Sequence, residues 1–430
     1  MKHTAISLLL LCSTAGISAD TWSLDSCINY ALDHNLTIKS SNLDRMGGEL
    51  SVTEAKDRFL PNISAGAGQN WDFGRGLTSE NTYANRNTSM FSWNAQLSLP
   101  IFQGLSAVRQ LKYAHANLAM LTEQTEAARD EVRLSVISYY LQALYNREML
   151  AVNNEKLRLS KVQLERQKVL LEAGKVPEVD VIQADAQVAS DELAVVTATN
   201  DYQLSLIDLA KVLELDDVEG FDVMPLPDER VALLSSEEVY SNALNHNHSI
   251  IASRLGVEAA DKAVNVAKSG YLPRLNFNAG LGSSYYTVSG VKSSSFGKQM
   301  NDNFSKSLGF SLSVPIFDAF STRNQIKQAK MRRLSAELSL EQQRSDLHKT
   351  IRQAYYQALG AEKRYQAGET AVNAAKAALD AMTEKYNYGK ANATEWEQAQ
   401  SNYITSLAQQ VQAKYEMILR NRILLFYNKQ

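Results

Sequence analysis

The chain has 430 residues, of which 44 are basic and 47 acidic, so its formal net charge is −3. A near-neutral chain lacks the basic surface that displaces counterions from phosphates, which argues against a nucleic-acid-binding function. Hydrophobic residues make up 45% of the chain and the mean hydropathy is −0.28, values typical of a water-soluble protein of two or three domains. Beyond the N-terminus, no segment reaches the roughly 20 apolar residues that a membrane-spanning helix needs.

The N-terminal segment has the pattern of a secretory signal peptide. Lys2 is followed by a short apolar stretch and by small residues that end at Ala19, where we expect cleavage. Lipidation at Cys12 is an alternative to simple cleavage, although the leucine before it suits an acylation site poorly. Cleavage leaves Cys27 as the single thiol, so no intramolecular disulfide can form, and we expect Cys27 in the core of an N-terminal helix.

Two segments that follow alternate between apolar and polar residues. Period-two alternation over about ten residues is typical of outer-membrane strands, whereas the alternative is a half-buried hairpin of a soluble protein. The polar segment between the two strands is expected to be a solvent-facing hairpin tip. The predicted strands cover about 62–73 and 88–101.

A proline-free stretch then predicts a very long helix over about 104–172. Apolar residues recur every seven positions, as in helices that pack along their length. A solvent-exposed coiled coil is the alternative interpretation. Gly174 lies in a tip at 173–178, from which a second helix returns beside the first. The heptad positions are Val136, Ala143, Leu150, Leu157, Leu164 and Leu171.

The second half of the chain repeats this order. Ala31-Leu32-Asp33-His34-Asn35 returns as Ala243-Leu244-Asn245-His246-Asn247, and further matches follow in the same order at nearly constant spacing. The second half is predicted to have strands over about 274–287 and 305–316, a long helix over about 318–387 and a tip at 388–394. The duplication divides the chain into a signal peptide at 1–19, a first repeat at 20–220, a linker at 221–234 and a second repeat at 235–430.

The strand count has a consequence for assembly. Four strands cannot close a membrane barrel alone, because the smallest single-chain barrels have about eight. An open sheet edge is not tolerated in lipid. If the strands span a membrane, several chains must therefore share one barrel, and three chains would supply twelve strands.

The order of helix, two strands, very long helix, turn and helix in each half resembles the TolC family of outer-membrane efflux channels over essentially the whole mature chain. The resemblance is carried by the paired Leu-Pro and Pro-Ile-Phe strand flanks and by the two tip segments. The strand flanks are Leu60-Pro61, Leu272-Pro273, Pro100-Ile101-Phe102 and Pro315-Ile316-Phe317. The tip segments run from Ala173-Gly174-Lys175 through Val181 and from Tyr386-Asn387-Tyr388-Gly389-Lys390 through Ala399.

The resemblance implies a mainly α fold with a transmembrane β part. Four strands per chain complete a 12-stranded barrel as a homotrimer in the outer membrane. The long helices continue it as an α-helical coiled-coil barrel, a tunnel across the periplasm. The implied partners are outer-membrane lipid, a periplasmic adaptor protein and, through the adaptor, a proton-driven or ATP-driven inner-membrane pump.

The resemblance also implies roles at the helical tips. Glu395 matches an acidic ring that narrows the periplasmic entrance, whereas Gln398 occupies the place of a second acid. Asp180 and Tyr386 match residues that link neighbouring hairpins. The linking arginine is replaced by Ala391, so Lys390 beside it is the expected substitute. A first-turn helix carboxylate is the alternative role of Glu395.

Adaptor docking is expected at the same tips, although the two glycines are equally consistent with simple helix C-caps. The expected docking residues are Gly174, Lys175, Val176, Gly389, Lys390 and Ala391.

Two functions remain after these observations. The first is a passive exit duct for tripartite efflux or type I secretion, in which a partner supplies the energy. The second is a structural coiled-coil tether with a small outer-membrane β anchor. We expect no catalytic residue, no cofactor and no metal site.

Overall fold

The computed structural model describes residues 21–77, 81–227 and 234–429. The predicted signal peptide and the alternative of lipidation at Cys12 lie outside the described residues. The chain forms two compact units. One contains the described residues up to Ser40 together with those of Glu126–Asn247 and Ser345–Gln430, and the other contains those of Ser41–Thr125 and His248–Arg344.

The secondary structure follows the order helix, strands, long helix and returning helix twice. The first half contains β1 (Thr21–Trp22), α1 (Leu24–His34), α2 (Leu36–Asp57), β2 (Asn62–Asp72), β3 (Arg75–Leu77), β4 (Tyr83–Asn85), β5 (Thr88–Gln103), α3 (Ser106–Glu172), α4 (Glu178–Leu213) and β6 (Asp222–Val223). The second half contains α5 (Ser236–His246), α6 (His248–Ala267), β7 (Arg274–Val288), α7 (Phe296–Asp302), β8 (Ser305–Ser313), α8 (Ser321–Asn387) and α9 (Ala393–Lys429), with a short 3₁₀ turn between α6 and β7.

Four strands form one antiparallel sheet in the order β2-β5-β7-β8. Its register aligns the apolar positions of all four strands, because successive side chains of a strand point to opposite faces. Leu99 of β5 lies opposite Phe277 of β7, which in turn lies opposite Phe310 of β8. One face is therefore mainly apolar, although it also carries Gln69 of β2, Ser283 of β7 and Lys306 of β8. Its large side chains remain exposed, with Phe310 72% and Leu308 77% accessible.

The opposite face of this sheet is polar and carries side-chain hydrogen bonds across strands. Ser98 donates to the Asn278 amide oxygen at 3.0 Å, and the Asn278 amide nitrogen donates to Ser311 at 3.3 Å. The sheet thus separates an apolar face from a hydrogen-bonding face, as the alternation in the sequence predicts.

Details of the sheet differ from expectation at its ends. The described residues of 74–87 contain the β3–β4 pair, and 289–303 contains α7. β8 ends at Ser313 instead of continuing to 316, since Pro315 has no N–H to donate to a ladder. Pairing of β5 with β7 also shifts register between Pro100 and Phe102.

The long helices pack as the seven-residue spacing predicts. Val136 and Ala143 of α3 are fully buried, and Leu164 is nearly so. In α8, Val372 and Leu379 are likewise buried. Among the described residues, no helix combines the length and apolar composition required to cross a membrane.

The core of the first unit lies where α1 and the parallel β1–β6 pair meet α3 and α4. The Tyr140 hydroxyl donates to the Met224 carbonyl at 2.7 Å and lies 3.0 Å from the Trp22 carbonyl, so it joins both short strands. Cys27 is fully buried in α1, as expected, and burial raises the pKa of its thiol to about 12. This thiol therefore stays protonated and serves packing.

Candidate functional site at the helical tips

The two hairpins, α3–α4 and α8–α9, turn through the same backbone motif. Gly174 follows α3 with φ of 69°, and Gly389 follows α8 with φ of 70°. The next residue donates back to the fifth preceding carbonyl in both cases, Lys175 to Leu170 at 2.8 Å and Lys390 to Lys385 at 2.8 Å. Each glycine thus closes a Schellman motif, in which a left-handed residue satisfies the last helix carbonyls.

The predicted docking residues occupy equivalent places on the two tips. Gly174 and Lys175 are exposed on the first, as are Gly389 and Lys390 on the second, whereas Val176 and Ala391 are half-buried. No atom approaches within 4 Å of where a Cβ would stand on either glycine. The glycines therefore serve as helix caps, and the space around them is open.

Tyr386, at the end of α8, is buried by the first-repeat hairpin. Its hydroxyl accepts hydrogen bonds from the side-chain amides of Gln163 and Gln167, each at 3.0 Å. Both glutamines are buried as well. Because buried amide donors require partners, this hydroxyl joins the first-repeat and second-repeat hairpins within one protomer.

Arg166 strengthens the same connection from α3. Its guanidinium carbon lies 3.9 Å from the centroid of the Tyr386 ring, a cation–π distance. One of its nitrogens donates to the Tyr386 carbonyl at 2.9 Å, and the other donates to the Asn387 side chain. An arginine of the first repeat therefore contacts the end of α8, just before the second tip, whereas the position that matches the linking arginine is Ala391.

Trp396 also packs against Tyr386. The two rings are nearly parallel, at 27°, with centroids 6.1 Å apart, and the indole N–H donates to the Thr383 hydroxyl at 2.9 Å. Trp396 is buried. This residue therefore belongs to the packing of the second hairpin.

Glu395 lies in the first turn of α9 and closes a capping box with Asn392. Its carboxylate accepts from the Asn392 backbone N–H at 3.0 Å, while the Glu395 N–H donates to the Asn392 side chain at 2.9 Å. This reciprocal pair satisfies two otherwise free N–H groups of the helix start. The alternative role of Glu395, that of a first-turn helix carboxylate, is thus present in the protomer.

A second acid of α9, Glu397, lies close enough to Asp180 of α4 for their charges to interact. Burial, and then the negative charge of Asp180, raise the pKa of the Glu397 carboxyl. Gln398 points to Asn402, to which its amide donates at 3.0 Å. Lys390 forms no ion pair with a carboxylate within the part of the chain that the structure describes.

The first hairpin also contains a buried carboxylate, which lies farther from the tip. Asp191 of α4 is about 1% exposed, and its oxygens accept from Lys156 Nζ at 2.9 Å, from the Gln187 amide at 2.8 Å and from the Ser160 hydroxyl. These partners compensate the charge, which would be costly to bury alone. The cluster lines a cavity of 560 Å³ that Glu397 and Gln398 also border.

The structure therefore brings only part of the expected site together. Tyr386 contacts three residues of α3 that are not among the expected site residues: Gln163, Arg166 and Gln167. The charge of Asp180 acts on Glu397, which is likewise not among the expected site residues. The one available indication was spacing, since Gln163 and Gln167 flank the heptad residue Leu164 and so lie on the packed side of α3.

Within 21–77, 81–227 and 234–429, no group of three or more histidine, cysteine, aspartate or glutamate side chains is arranged to hold a metal ion.

Comparison with known proteins decides the family. The family model described as outer membrane efflux protein matches residues 27–214 and again 239–425. The chain belongs to the outer membrane efflux protein family. The two matches also agree with the internal duplication, because each covers one half.

Individual members of the family resemble the chain along nearly its full length. Outer membrane efflux protein BepC of Brucella suis biovar 1 is 22% identical over 427 residues, which cover 99% of this chain and 89% of BepC. Outer membrane protein TolC of Vibrio cholerae is 26% identical over 399 residues, covering 89% and 86%. The CmeC outer membrane channel of Campylobacter jejuni superposes with a TM-score of 0.81 at 16% identity, covering 94% of this chain and 85% of CmeC.

These comparisons place the protein in the outer membrane with an extension into the periplasm, as a channel of efflux or type I secretion systems. Its relatives are channel proteins, not enzymes. Channels of this family work together with adaptors and inner-membrane pumps.

Proposed function

We propose that three copies of this chain form one passive exit duct whose twelve strands close a single barrel in the outer membrane. The observation that carries the proposal is the sheet itself, in which β2 and β8 each have one edge that pairs with no other strand of the described residues. All neighbouring strands are antiparallel, so β2 and β8 run in opposite directions. β8 of one copy can therefore continue the antiparallel pattern along β2 of the next.

The two faces of the sheet support the same arrangement. A face bearing Leu308 and Phe310 suits contact with lipid, whereas a face bearing Asn278 and Ser311 suits a water-filled interior. A tether with a four-stranded anchor would leave both edges unpaired in the bilayer, where each unsatisfied backbone group costs several kcal/mol.

Assembly and conductance distinguish the duct from the tether. We expect the purified protein to run as a trimer in mild detergent and to give discrete single-channel steps in a planar bilayer. A monomer without conductance would contradict the duct and leave the tether. Refolding into liposomes before both measurements controls for losses during extraction.

At the other end of the duct, the tips are proposed to form the periplasmic entrance, with Glu395, Asp180, Tyr386, Gln398 and Lys390 at or near its narrowest part. Acidic side chains repeated around a threefold axis focus a negative potential and favour cations. Bilayer recordings should therefore show a cation preference that decreases in Glu395→Ala. An unchanged preference would remove Glu395 from the entrance and leave it only its capping role.

Adaptor docking is proposed at the two tips, with Lys175 and Lys390 as the exposed charged contacts. The variant Lys175→Glu/Lys390→Glu should lose the ability to restore dye resistance to a strain that lacks its own channel. The variant Lys363→Glu/Lys376→Glu, with the same charge change on exposed positions of α8, is the matched control. Equal resistance with both variants would contradict docking through these lysines.

A further inference from the structure

The start of α8 carries cations that form no ion pair with any residue that the structure describes. Arg323, Lys327 and Lys330 are exposed and fall on one side of the helix by their spacing. None pairs with a carboxylate within the described ranges, whereas Arg333 on the same helix lies 3.6 Å from Asp261. Between 314 and 332, the one acidic residue is Asp318, and its carboxylate already accepts from the Thr322 N–H at 2.7 Å.

Exposed aromatic rings lie next to these cations. Phe317 is 75% exposed, and its ring meets that of Phe320 edge-on with centroids 5.5 Å apart. The Arg323 guanidinium carbon lies 5.6 Å from the centroid of the Phe320 ring. We call Phe317, Phe320, Arg323, Lys327 and Lys330 the junction patch, because they join β8 to α8.

The neighbouring connection, between α6 and β7, packs against Thr322 beside the junction patch and also carries a basic residue. A Cβ on Gly270 would lie 2.6 Å from the Thr322 hydroxyl, so the two connections are in close contact. Arg274 at the start of β7 is exposed and pairs in register with Ser313 at the end of β8. Positive charge is thus present on both connections.

The apolar face of the sheet continues along the chain to the residues next to these cations. Leu312 is 65% exposed, Val314 55% and Ile316 95%, immediately before Phe317. A ligand that fits the whole surface needs an apolar chain along these residues and an anionic group near Lys327. Free phosphate has only the second of these parts, whereas an anionic phospholipid has both.

We propose that the junction patch binds the phosphate headgroups of anionic phospholipids in the periplasmic leaflet of the outer membrane. The α8 end of the sheet faces the periplasm because the helices extend into it. Exposed aromatics favour the membrane–water interface, and clustered lysines and arginines beside it attract anionic lipid. This inference rests on the proposed insertion of β8 into the bilayer.

The test measures which lipid stays bound to the protein. The full chain is refolded into vesicles of equal parts phosphatidylglycerol and phosphatidylcholine, extracted in mild detergent, and its bound lipid is quantified. We expect phosphatidylglycerol to be enriched over phosphatidylcholine in the bound lipid, and we expect this enrichment to decrease with salt. In Arg323→Gln/Lys327→Gln/Lys330→Gln, the enrichment should fall about fivefold for each cation removed. Lys349→Gln/Lys363→Gln/Lys376→Gln, on the same helix, should retain the enrichment.

Conductance separates failure of this inference from failure of the duct. Both triple variants should still conduct in a phosphatidylcholine bilayer, which shows that the strands insert. Conducting channels with equal lipid enrichment in both variants, or without enrichment in the wild type, would overturn lipid binding alone. If the first triple variant does not insert, the single variants Arg323→Gln and Lys327→Gln replace it, and unchanged enrichment in both would overturn the proposal.

Inorganic phosphate competing at millimolar concentration would assign the patch to free phosphate instead.

Discussion

At the residue scale, the hydroxyl of Tyr386 joins the first-repeat hairpin to the second-repeat hairpin. Tyr386→Phe leaves the buried amides of Gln163 and Gln167 without their shared acceptor, and we expect a loss of about 1–3 kcal/mol in local stability. Hydrogen exchange of the tip amides should report it. Tyr388→Phe, at an 80% exposed ring two residues away, should leave exchange unchanged.

A protection pattern that Tyr386→Phe does not alter would contradict this role of the hydroxyl. The cation–π contact of Arg166 persists in that variant, since phenylalanine keeps the ring. Arg166→Gln should therefore weaken the tip further when combined with Tyr386→Phe, and the two effects are expected to be non-additive because they share one ring.

The Asp180–Glu397 pair predicts that the stability of the fold depends on pH with the opposite sign to the dependence that an ion pair gives. Because burial and Asp180 raise the pKa of Glu397, the folded protein binds a proton at a pH where the unfolded chain does not. Stability should therefore increase as the pH falls from neutral through the raised pKa.

Glu397→Gln removes this dependence. We expect it to raise the stability at neutral pH by about 0.5 kcal/mol or less, because solvent screens a pair in which Glu397 is exposed and Asp180 only half-buried. Below the ordinary pKa of glutamate the gain should vanish. Apparent Tm values across pH check this, with Asp180→Asn expected to act in the same direction. A lower apparent Tm of both variants at neutral pH would show that the pair stabilises the fold.

At the scale of elements, the glycines that end α3 and α8 should be sensitive to substitution even though space surrounds them. Gly389→Ala places a Cβ on a residue with φ of 70°, at an expected cost of about 1 kcal/mol, and Gly174→Ala should behave alike. Gly47→Ala is a control of opposite sign. It lies within α2 with open space around it, so alanine should stabilise the helix by about 0.5–1 kcal/mol. Thermal unfolding of the three variants checks this.

Elements were more accessible to prediction than the contacts between them. The alternation in β2, β5, β7 and β8 and the heptads of α3 and α8 are periodic, and period alone defines which face packs. Arg166 and Glu397 lie outside any such period. Their partners, Tyr386 and Asp180, are remote in the chain, and only the folded hairpins bring them together. The capping box of Asn392 and Glu395 is local, which is why a first-turn role for Glu395 could be foreseen.

At the scale of the whole molecule, the internal duplication explains why one chain supplies an even number of strands to its sheet. Each half contributes two antiparallel strands, so β2 and β8 at the two edges run in opposite directions. Any number of copies can then be joined edge to edge without a change in the pattern. The same duplication places a glycine-capped tip on each half, so that every copy presents two similar tips.

The proposed barrel predicts that the two faces of β8 tolerate charge differently. Phe310→Arg would place a guanidinium on the apolar face near the middle of the strand, where a cation facing lipid costs about 2–4 kcal/mol. Ser311→Arg would place the same group on the polar face one residue away. We expect Phe310→Arg to reduce insertion into liposomes strongly and Ser311→Arg to insert and alter conductance. Because the two variants share size, charge and strand, reduced insertion of both would indicate a general defect of β8, whereas full insertion of Phe310→Arg would show that this face does not meet lipid and that the twelve-stranded barrel is wrong.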